Sequence, residues 1–185
     1  AAAMKAAMEK HKLAGTVRLY GCPAEETIIG KVYMAKAGLF NDLDACLVWH
    51  PSGENKVHVE SNRALNSFEI IFHGKTAHAA GDPWDGRSAL DAVELMSVGV
   101  NYLREHSRES VRIHSVIMDG GKAPNIVPDY ARAWYFVRDS SRKGVEEIYD
   151  RVLKCAEGAA LMTGTTMEVS LITGVYNYLP NRTIS

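Results

Sequence analysis

Two adjacent carboxylates, Glu25 and Glu26, follow a proline-containing turn in the stretch YGCPAEET, residues 20–27. One carboxylate of such a pair can bind a metal ion while its neighbour accepts a proton from the attacking water, a division of labour that hydrolytic metal sites use. Acidic residues are also favoured in the first turn of a helix, because the macrodipole stabilises negative charge there. A solvated pair without a catalytic role is therefore the alternative interpretation.

A third candidate ligand, His50, ends the apolar segment DACLVWHP, residues 44–51. The pattern predicts strands over 16–22 and 44–51 with a helix over 25–40 between them, which is a βαβ unit. The carboxyl ends of parallel strands lie at one edge of a sheet, so Glu26 and His50 are expected to converge. A histidine before a proline also commonly ends a strand without binding a metal.

A different alternation follows residue 64 and predicts a second module. Strands and helices are expected in the order βαββαβ, at 65–74, 85–106, 110–121, 127–139, 144–164 and 165–174. This order is the signature of a ferredoxin-like sandwich, in which two helices cover one face of a sheet.

Composition limits the classes of partner. The chain has 185 residues and a formal charge of −1, with 21 basic and 22 acidic residues, so no global field favours nucleic acid or an anionic membrane. Three cysteines without metal-binding spacing predict reduced thiols and a cytoplasmic location. No stretch reaches the roughly 20 apolar residues that span a bilayer. A small molecule or another protein is the expected partner.

Four motifs occur in order: GCPAEE, LVWHP, HGKTAHAAGDPWDGRSALDA and GGKAPNIVPDYA. Together they resemble the zinc-dependent aminoacylase and carboxypeptidase family of metallopeptidases. The resemblance implies an α/β fold class, with part of a metallopeptidase catalytic α/β domain at 1–62. It further implies an inserted ferredoxin-like lid or dimerisation domain at 63–174 and a return toward the catalytic domain at 175–185.

The same resemblance implies roles for the first three candidates. Glu25 corresponds to the family's general base and Glu26 to a metal ligand. The family's next ligand lies 24 positions after that glutamate, which is His50 in this sequence. The ion would be zinc or manganese. The family's other ligands come from an upstream loop and from a histidine near the C-terminus, so we expect this chain to be an internal fragment that is inactive alone.

Three further residues correspond to the family's lid residues. His78 matches a histidine that reaches across a dimer to stabilise the scissile carbonyl, and Asn125 and Arg138 match a pair that binds the substrate's carboxylate. The implied activity is hydrolysis of the amide bond of an N-acyl amino acid, with p-aminobenzoyl-glutamate as the specific candidate. A homodimer or a heterodimer with a related subunit is expected. The alternative hypothesis is a non-catalytic dimerisation or ligand-binding module of the same fold.

Overall fold

The computed structural model describes residues 1–27, 29–57 and 59–183. The chain divides into two compact units, Ala1–His50 and Pro51–Ser185. The domain boundaries expected at residues 62 and 174 stay a prediction, and residues 184 and 185 of the expected return lie outside the described residues. Within the described part of the chain, no helix is both long enough and apolar enough to cross a membrane.

The first unit contains two helices, α1 at Ala2–His11 and α2 at Gly30–Lys36. The strands expected at 16–22 and 44–51 are wrong, because the described residues before Ala64 contain no strand. A strand requires a ladder of backbone hydrogen bonds to a neighbour. Neither segment has one here, and apolar side chains such as Leu19 and Trp49 are 81% and 83% exposed instead of buried in a sheet.

Helix α2 is shorter than the helix expected at 25–40, whose position 28 lies outside the described residues. Residues 23–27 form a turn instead of the first helical turn. At the other end Gly38 adopts a left-handed conformation, with φ of 78°, which ends helices because a residue without a Cβ takes it without strain. The acidic pair therefore lies in a turn before the helix.

The second unit is the ferredoxin-like sandwich that the sequence predicts. The elements are β1 at Ala64–His73, α3 at Ala89–Glu105, β2 at Arg112–Asp119, β3 at Tyr130–Asp139, α4 at Arg142–Thr163 and β4 at Thr166–Val175. The four strands form one antiparallel sheet in the order β2-β3-β1-β4. Strands β2 and β4 are therefore its edges.

One face of this sheet carries the hydrophobic core. Along β3 buried and partly buried residues alternate from Ala131 to Val137, as expected when one face packs against helices. Phe68 of β1 lies at the centre, stacked on Tyr135 with ring centroids 5.9 Å apart and meeting Tyr149 of α4 edge to face at 4.7 Å. Such aromatic pairs add to the stabilisation that burial gives. The opposite face carries polar and aromatic side chains together with aliphatic ones such as Ile71 and Val116.

A serine side chain caps the N-terminus of each long helix of the sandwich. The Ser88 hydroxyl accepts a hydrogen bond from the Asp91 amide at 3.1 Å, and the Ser141 hydroxyl accepts one from the Gly144 amide at 3.1 Å. Each bond satisfies a backbone donor that has no partner within the helix. These caps explain why α3 begins after Ser88 and α4 after Ser141.

Candidate functional site

A strained turn positions the acidic pair. Its backbone closes through hydrogen bonds from the amides of Thr27 and Ile29 to the carbonyl of Ala24, at 3.3 and 2.9 Å. Ala24 and Ile29 both have positive φ angles, of 51° and 53°. Residues with a Cβ adopt this conformation at a cost, which surrounding structure must offset, and such strain often accompanies functional sites.

Gly30 holds this turn against the start of α2. A Cβ at Gly30 would lie 2.2 Å from the carbonyl oxygen of Pro23, so a side chain does not fit there. Only glycine allows the chain to double back so closely after the proline. The direction in which Glu25 and Glu26 project therefore depends on Gly30.

The turn brings both carboxylates to His50. Ligand atoms of Glu25, Glu26 and His50 all lie within 4.8 Å of one another. The three residues meet although the strands expected to position them are absent from the described residues. They all belong to the first unit, Ala1–His50.

This donor set fits a divalent metal ion. Carboxylate oxygen and imidazole nitrogen are both ligands of zinc, and carboxylates also suit manganese. Catalytic zinc sites take three protein ligands in addition to water or substrate. If Glu25 keeps its carboxylate for proton transfer, Glu26 and His50 supply two ligands.

His78 lies in the second unit, in the loop that follows β1. Its ring nitrogen Nδ1 accepts hydrogen bonds from the backbone amides of Ala80 and Gly81, at 3.2 and 3.0 Å. In the neutral imidazole the proton then lies on Nε2, because the other nitrogen is an acceptor. The backbone thus leaves Nε2–H of His78 as a hydrogen-bond donor.

Asn125 lies beside His78. The Ala79 amide donates to the Asn125 carbonyl at 3.0 Å, and His78 and Ile126 form an isolated β-bridge. The side chains of His78 and Asn125 are exposed. The loop after β1 and the loop before β3 therefore present an imidazole and an amide at one end of the sheet.

Arg138 lies at the other end of β3. It pairs with Leu65 at the start of β1, whereas Tyr130 at the start of β3 pairs with His73 at the end of β1. The strand from Tyr130 to Arg138 spans roughly 26 Å at ~3.3 Å per residue. Within one chain, the structure does not bring Arg138 to the loops that carry His78 and Asn125.

The face around Arg138 is aromatic and cationic. The Arg138 guanidinium lies 5.5 Å from the centroid of the Phe136 ring, and Phe136 contacts Trp134 edge to face at 5.3 Å. Arg112 of β2 is the direct cross-strand neighbour of Arg138. Arg112 is not among the residues predicted from the sequence, because finding this neighbour requires the register of β2 against β3.

The pKa of His114 in β2 responds to the charges on this face. Burial lowers the pKa of His114, and the positive charges of Arg138, Arg104 and Arg112 lower it further. A histidine whose pKa is depressed by folding favours the folded state above the unfolded pKa of about 6.5, and this contribution is lost as the pH falls toward the folded pKa.

Replacing His114 by glutamine is therefore expected to make the ferredoxin-like sandwich less sensitive to acid. In the wild type, burial and the charges of three arginines make protonation of His114 unfavourable in the folded state. Glutamine does not take up a proton, so this cost disappears. The free energy of unfolding, measured by urea denaturation at pH 7.5 and below pH 6, should fall less for His114→Gln than for the wild type. His106→Gln serves as the control, and an equal effect of both substitutions would contradict this assignment.

Comparison with known proteins gives a match over more than half of the chain. Residues 61–163 match the M20 peptidase dimerisation domain. Over its whole length the chain is 46% identical to the B subunit of the p-aminobenzoyl-glutamate hydrolase of Escherichia coli (strain K12), and it covers 38% of that protein. It is 36% identical to the Xaa-Arg dipeptidase of Mus musculus over 91% of the chain and 39% of that protein. The chain thus spans about two fifths of the length of these relatives.

A solved structure shares the fold. The crystal structure of an aminobenzoyl-glutamate utilization protein from Klebsiella pneumoniae aligns with a TM-score of 0.59 at 27% identity, covering 65% of this chain and 31% of that one.

Proposed function

The chain belongs to the M20 peptidase family, and from this membership we propose that it is part of a metal-dependent amidohydrolase that cleaves the amide bond of an N-acyl amino acid. The relatives described above are a hydrolase and a dipeptidase, which both break amide bonds. The observation that carries the proposal is the convergence of Glu25, Glu26 and His50 to within 4.8 Å. The relative with 46% identity makes p-aminobenzoyl-glutamate the specific candidate substrate.

Glu26 and His50 would hold a divalent ion, zinc or manganese, together with ligands from the rest of the full-length protein. A bound divalent ion supplies Lewis-acid chemistry, which polarises a carbonyl oxygen and allows water to react near neutral pH. Glu25 accepts the proton of the attacking water as its oxygen bonds to the amide carbon. When the carbon–nitrogen bond breaks, Glu25 returns that proton to the leaving amine.

His78 is the candidate for stabilising the oxyanion that forms during this attack. The Nε2–H donor that the Ala80 and Gly81 amides leave on the ring is the group such a role needs. Donors aimed at developing negative charge contribute a few kcal/mol to catalysis. Asn125, on the adjoining loop, adds a neutral donor, and Arg138 offers a planar fork that binds a carboxylate through two hydrogen bonds.

The separation of these side chains supports a dimer. His78 and Asn125 lie at the opposite end of β3 from Arg138. Within one chain, this distance is too large for His78 and Arg138 to contact the same small substrate. In the proposed dimer, the His78 loop of one subunit serves the catalytic centre of its partner.

An open sheet edge offers the dimer surface. Strand β2 is an edge of the sheet, and its side chains Val116, Ile117 and Met118 are exposed. Helix α3 lies beside it, since Arg104 donates to the Ile113 carbonyl at 2.9 Å, and its Tyr102 is exposed as well. An edge strand and a helix of this kind can form a self-complementary interface. The E. coli relative is itself one subunit of a hydrolase, which supports pairing with a related subunit as the alternative to a homodimer.

The proposal is tested by measuring release of p-aminobenzoate from p-aminobenzoyl-glutamate with added zinc or manganese. The full-length protein and this chain are assayed side by side. We expect turnover by the full-length protein alone, because two ligands fall short of a catalytic site. Absence of hydrolysis of this and other N-acyl amino acids by the full-length protein would favour the non-catalytic dimerisation or ligand-binding module instead.

A further inference from the structure

Two arginine side chains stand directly opposite each other on the open face of the sheet. Arg112 and Arg138 are Cα partners in the antiparallel pairing of β2 and β3. Their neighbours Ile113 and Val137, also partners, are buried on the helix side. Successive side chains of a strand alternate between faces, so both arginine side chains leave the sheet on the opposite face. Like charges in direct cross-strand pairs destabilise a sheet.

The sheet compensates a different arginine on the same face. Arg132 contacts the carboxylate of Glu69 at 3.2 Å. Among the described residues, however, no carboxylate oxygen lies within 4.0 Å of the guanidinium nitrogens of Arg112 or Arg138. The Arg112–Arg138 pair therefore keeps its full positive charge.

Part of the hydrogen-bonding capacity of the pair is unused. Nε of Arg138 is buried and has no hydrogen-bond partner in the described part of the chain. Nη1 of Arg112 donates to the carbonyls of Val111, at 2.7 Å, and of Glu109, so this nitrogen is bonded to the backbone that precedes β2. A buried donor without a partner costs free energy.

The neighbouring histidine lies in the electrostatic field of these positive charges. After burial, the charges of Arg138, Arg104 and Arg112 are what lower the pKa of His114. A neutral His114 adds no charge of its own. Among the described residues, only cations act electrostatically on the pKa of His114.

We propose that Arg112 and Arg138 together form a subsite for a dicarboxylate, with each guanidinium binding one carboxylate of a glutamyl or aspartyl group. This proposal rests on the function proposed above and adds its specificity. Side chains in direct cross-strand pairs have Cβ atoms about 4.5–5.5 Å apart. The two carboxylates of an N-acyl glutamate, separated by three carbon atoms, can each meet one arginine of such a pair.

Arg112 is the residue that distinguishes dicarboxylic from monocarboxylic substrates. Arg138 alone binds the carboxylate that every N-acyl amino acid carries. A second carboxylate accepts two hydrogen bonds from the planar guanidinium of Arg112. A substrate without a second carboxylate leaves the positive charge of Arg112 uncompensated. Specificity here therefore arises from the pair of cations rather than from either arginine alone.

The test is a titration of this chain with glutarate and with valerate, at constant ionic strength, followed by the ring resonances of His114. These ligands have the same number of carbon atoms but carry two carboxylates and one. Glutarate is expected to shift the His114 resonances and to raise the pKa of His114, because added negative charge opposes the field of the arginines. Valerate should bind at least tenfold more weakly, because it lacks the second carboxylate that accepts charge-assisted hydrogen bonds.

Substitutions assign the effect to the pair. Arg112→Gln should weaken glutarate binding about tenfold or more and leave valerate binding nearly unchanged, whereas Arg138→Gln should weaken both. Arg108→Gln is the matched control, because Arg108 is exposed and forms a separate ion pair with Glu147 at 3.3 Å. Arg112→Lys keeps the charge without the fork and should give an intermediate affinity, which decides the matter if Arg112→Gln fails to fold.

Equal binding of glutarate and valerate, or equal losses in Arg112→Gln and Arg108→Gln, would overturn the subsite. The binding measurement needs no turnover, so its outcome is separate from that of the hydrolysis assay. Hydrolysis by the full-length protein without selective glutarate binding here would remove the subsite and leave the proposed function standing. Selective glutarate binding that depends on Arg112, without hydrolysis by the full-length protein, would support the subsite and remove the proposed function.

Discussion

Replacing Glu25 by glutamine in the full-length protein is expected to lower the rate of amide hydrolysis by about 10²- to 10⁴-fold, the range that general base catalysis contributes. Glutamine has nearly the same shape but accepts no proton from water at neutral pH. Little change in stability is expected, because Glu25 is not part of the hydrophobic core. The measurement is release of p-aminobenzoate under saturating zinc or manganese, with unfolding by urea in parallel.

Glu26→Gln is the matched variant, because it changes the adjacent carboxylate in the same turn. As a ligand, Glu26 should affect metal affinity, so that added metal restores part of the activity of Glu26→Gln. Glu25→Gln should not respond to added metal. Recovery of Glu25→Gln by metal, or unchanged turnover at saturating metal, would show that Glu25 is not the base.

Alanine at Gly144 is expected to destabilise the ferredoxin-like sandwich by about 1–3 kcal/mol, the usual cost of overpacking a closed site. Its Cβ would lie 1.5 Å from Oδ2 of Asp139, a carboxylate only 1% exposed beneath the first turn of α4. Either the helix or the buried carboxylate must move. The Ser141 cap, which bonds the Gly144 amide at 3.1 Å, would be disturbed as well. Urea unfolding followed by circular dichroism measures the change.

Gly158 in the same helix provides the control, because alanine there is expected to raise the free energy of unfolding instead of lowering it. A Cβ at Gly158 meets no atom within 4 Å. Alanine in a helix interior is more favourable than glycine by roughly 0.5–1 kcal/mol, because less backbone entropy is lost on folding. Destabilisation by Gly158→Ala, or a neutral Gly144→Ala, would show that the packing around α4 differs from the one described.

The ferredoxin-like sandwich could be predicted from sequence because its signals are local. The amphipathic pattern over 85–106, the helical pattern that ends at Gly164 and the strand segments beside them each mark an element where it occurs. Each signal agrees with the fold as a whole, so the order βαββαβ is enough to predict the sheet. What the pattern does not supply is register, which places Arg112 opposite Arg138.

The first unit shows where local signals fail. Segments 16–22 and 44–51 have the apolar character of buried strands, yet a strand exists only where another strand completes its hydrogen bonds. No periodicity shows whether that neighbour is present. The length of helix α2 is overestimated from sequence for a related reason, since the contact between Gly30 and the Pro23 carbonyl turns the chain before the helix begins.

The candidate metal site is nevertheless predictable from residue types and resemblance. Glu25, Glu26 and His50 approach one another without the strands that were expected to align them. The lid residues show the limit of that reasoning, because a spacing of thirteen between Asn125 and Arg138 does not reveal that β3 separates them. Only the fold shows that a strand of roughly 26 Å lies between the two.

The placement of His78 and Arg138 at opposite ends of β3 also has a genetic consequence. If each catalytic centre contains residues from two subunits, a subunit without Glu25 can still contribute its His78 to the centre of a partner that has Glu25. A mixed population of two defective alleles, one altered at Glu25 and the other at His78, would then contain assemblies with one intact centre. Under the proposed dimer, two recessive lesions in this gene would complement each other.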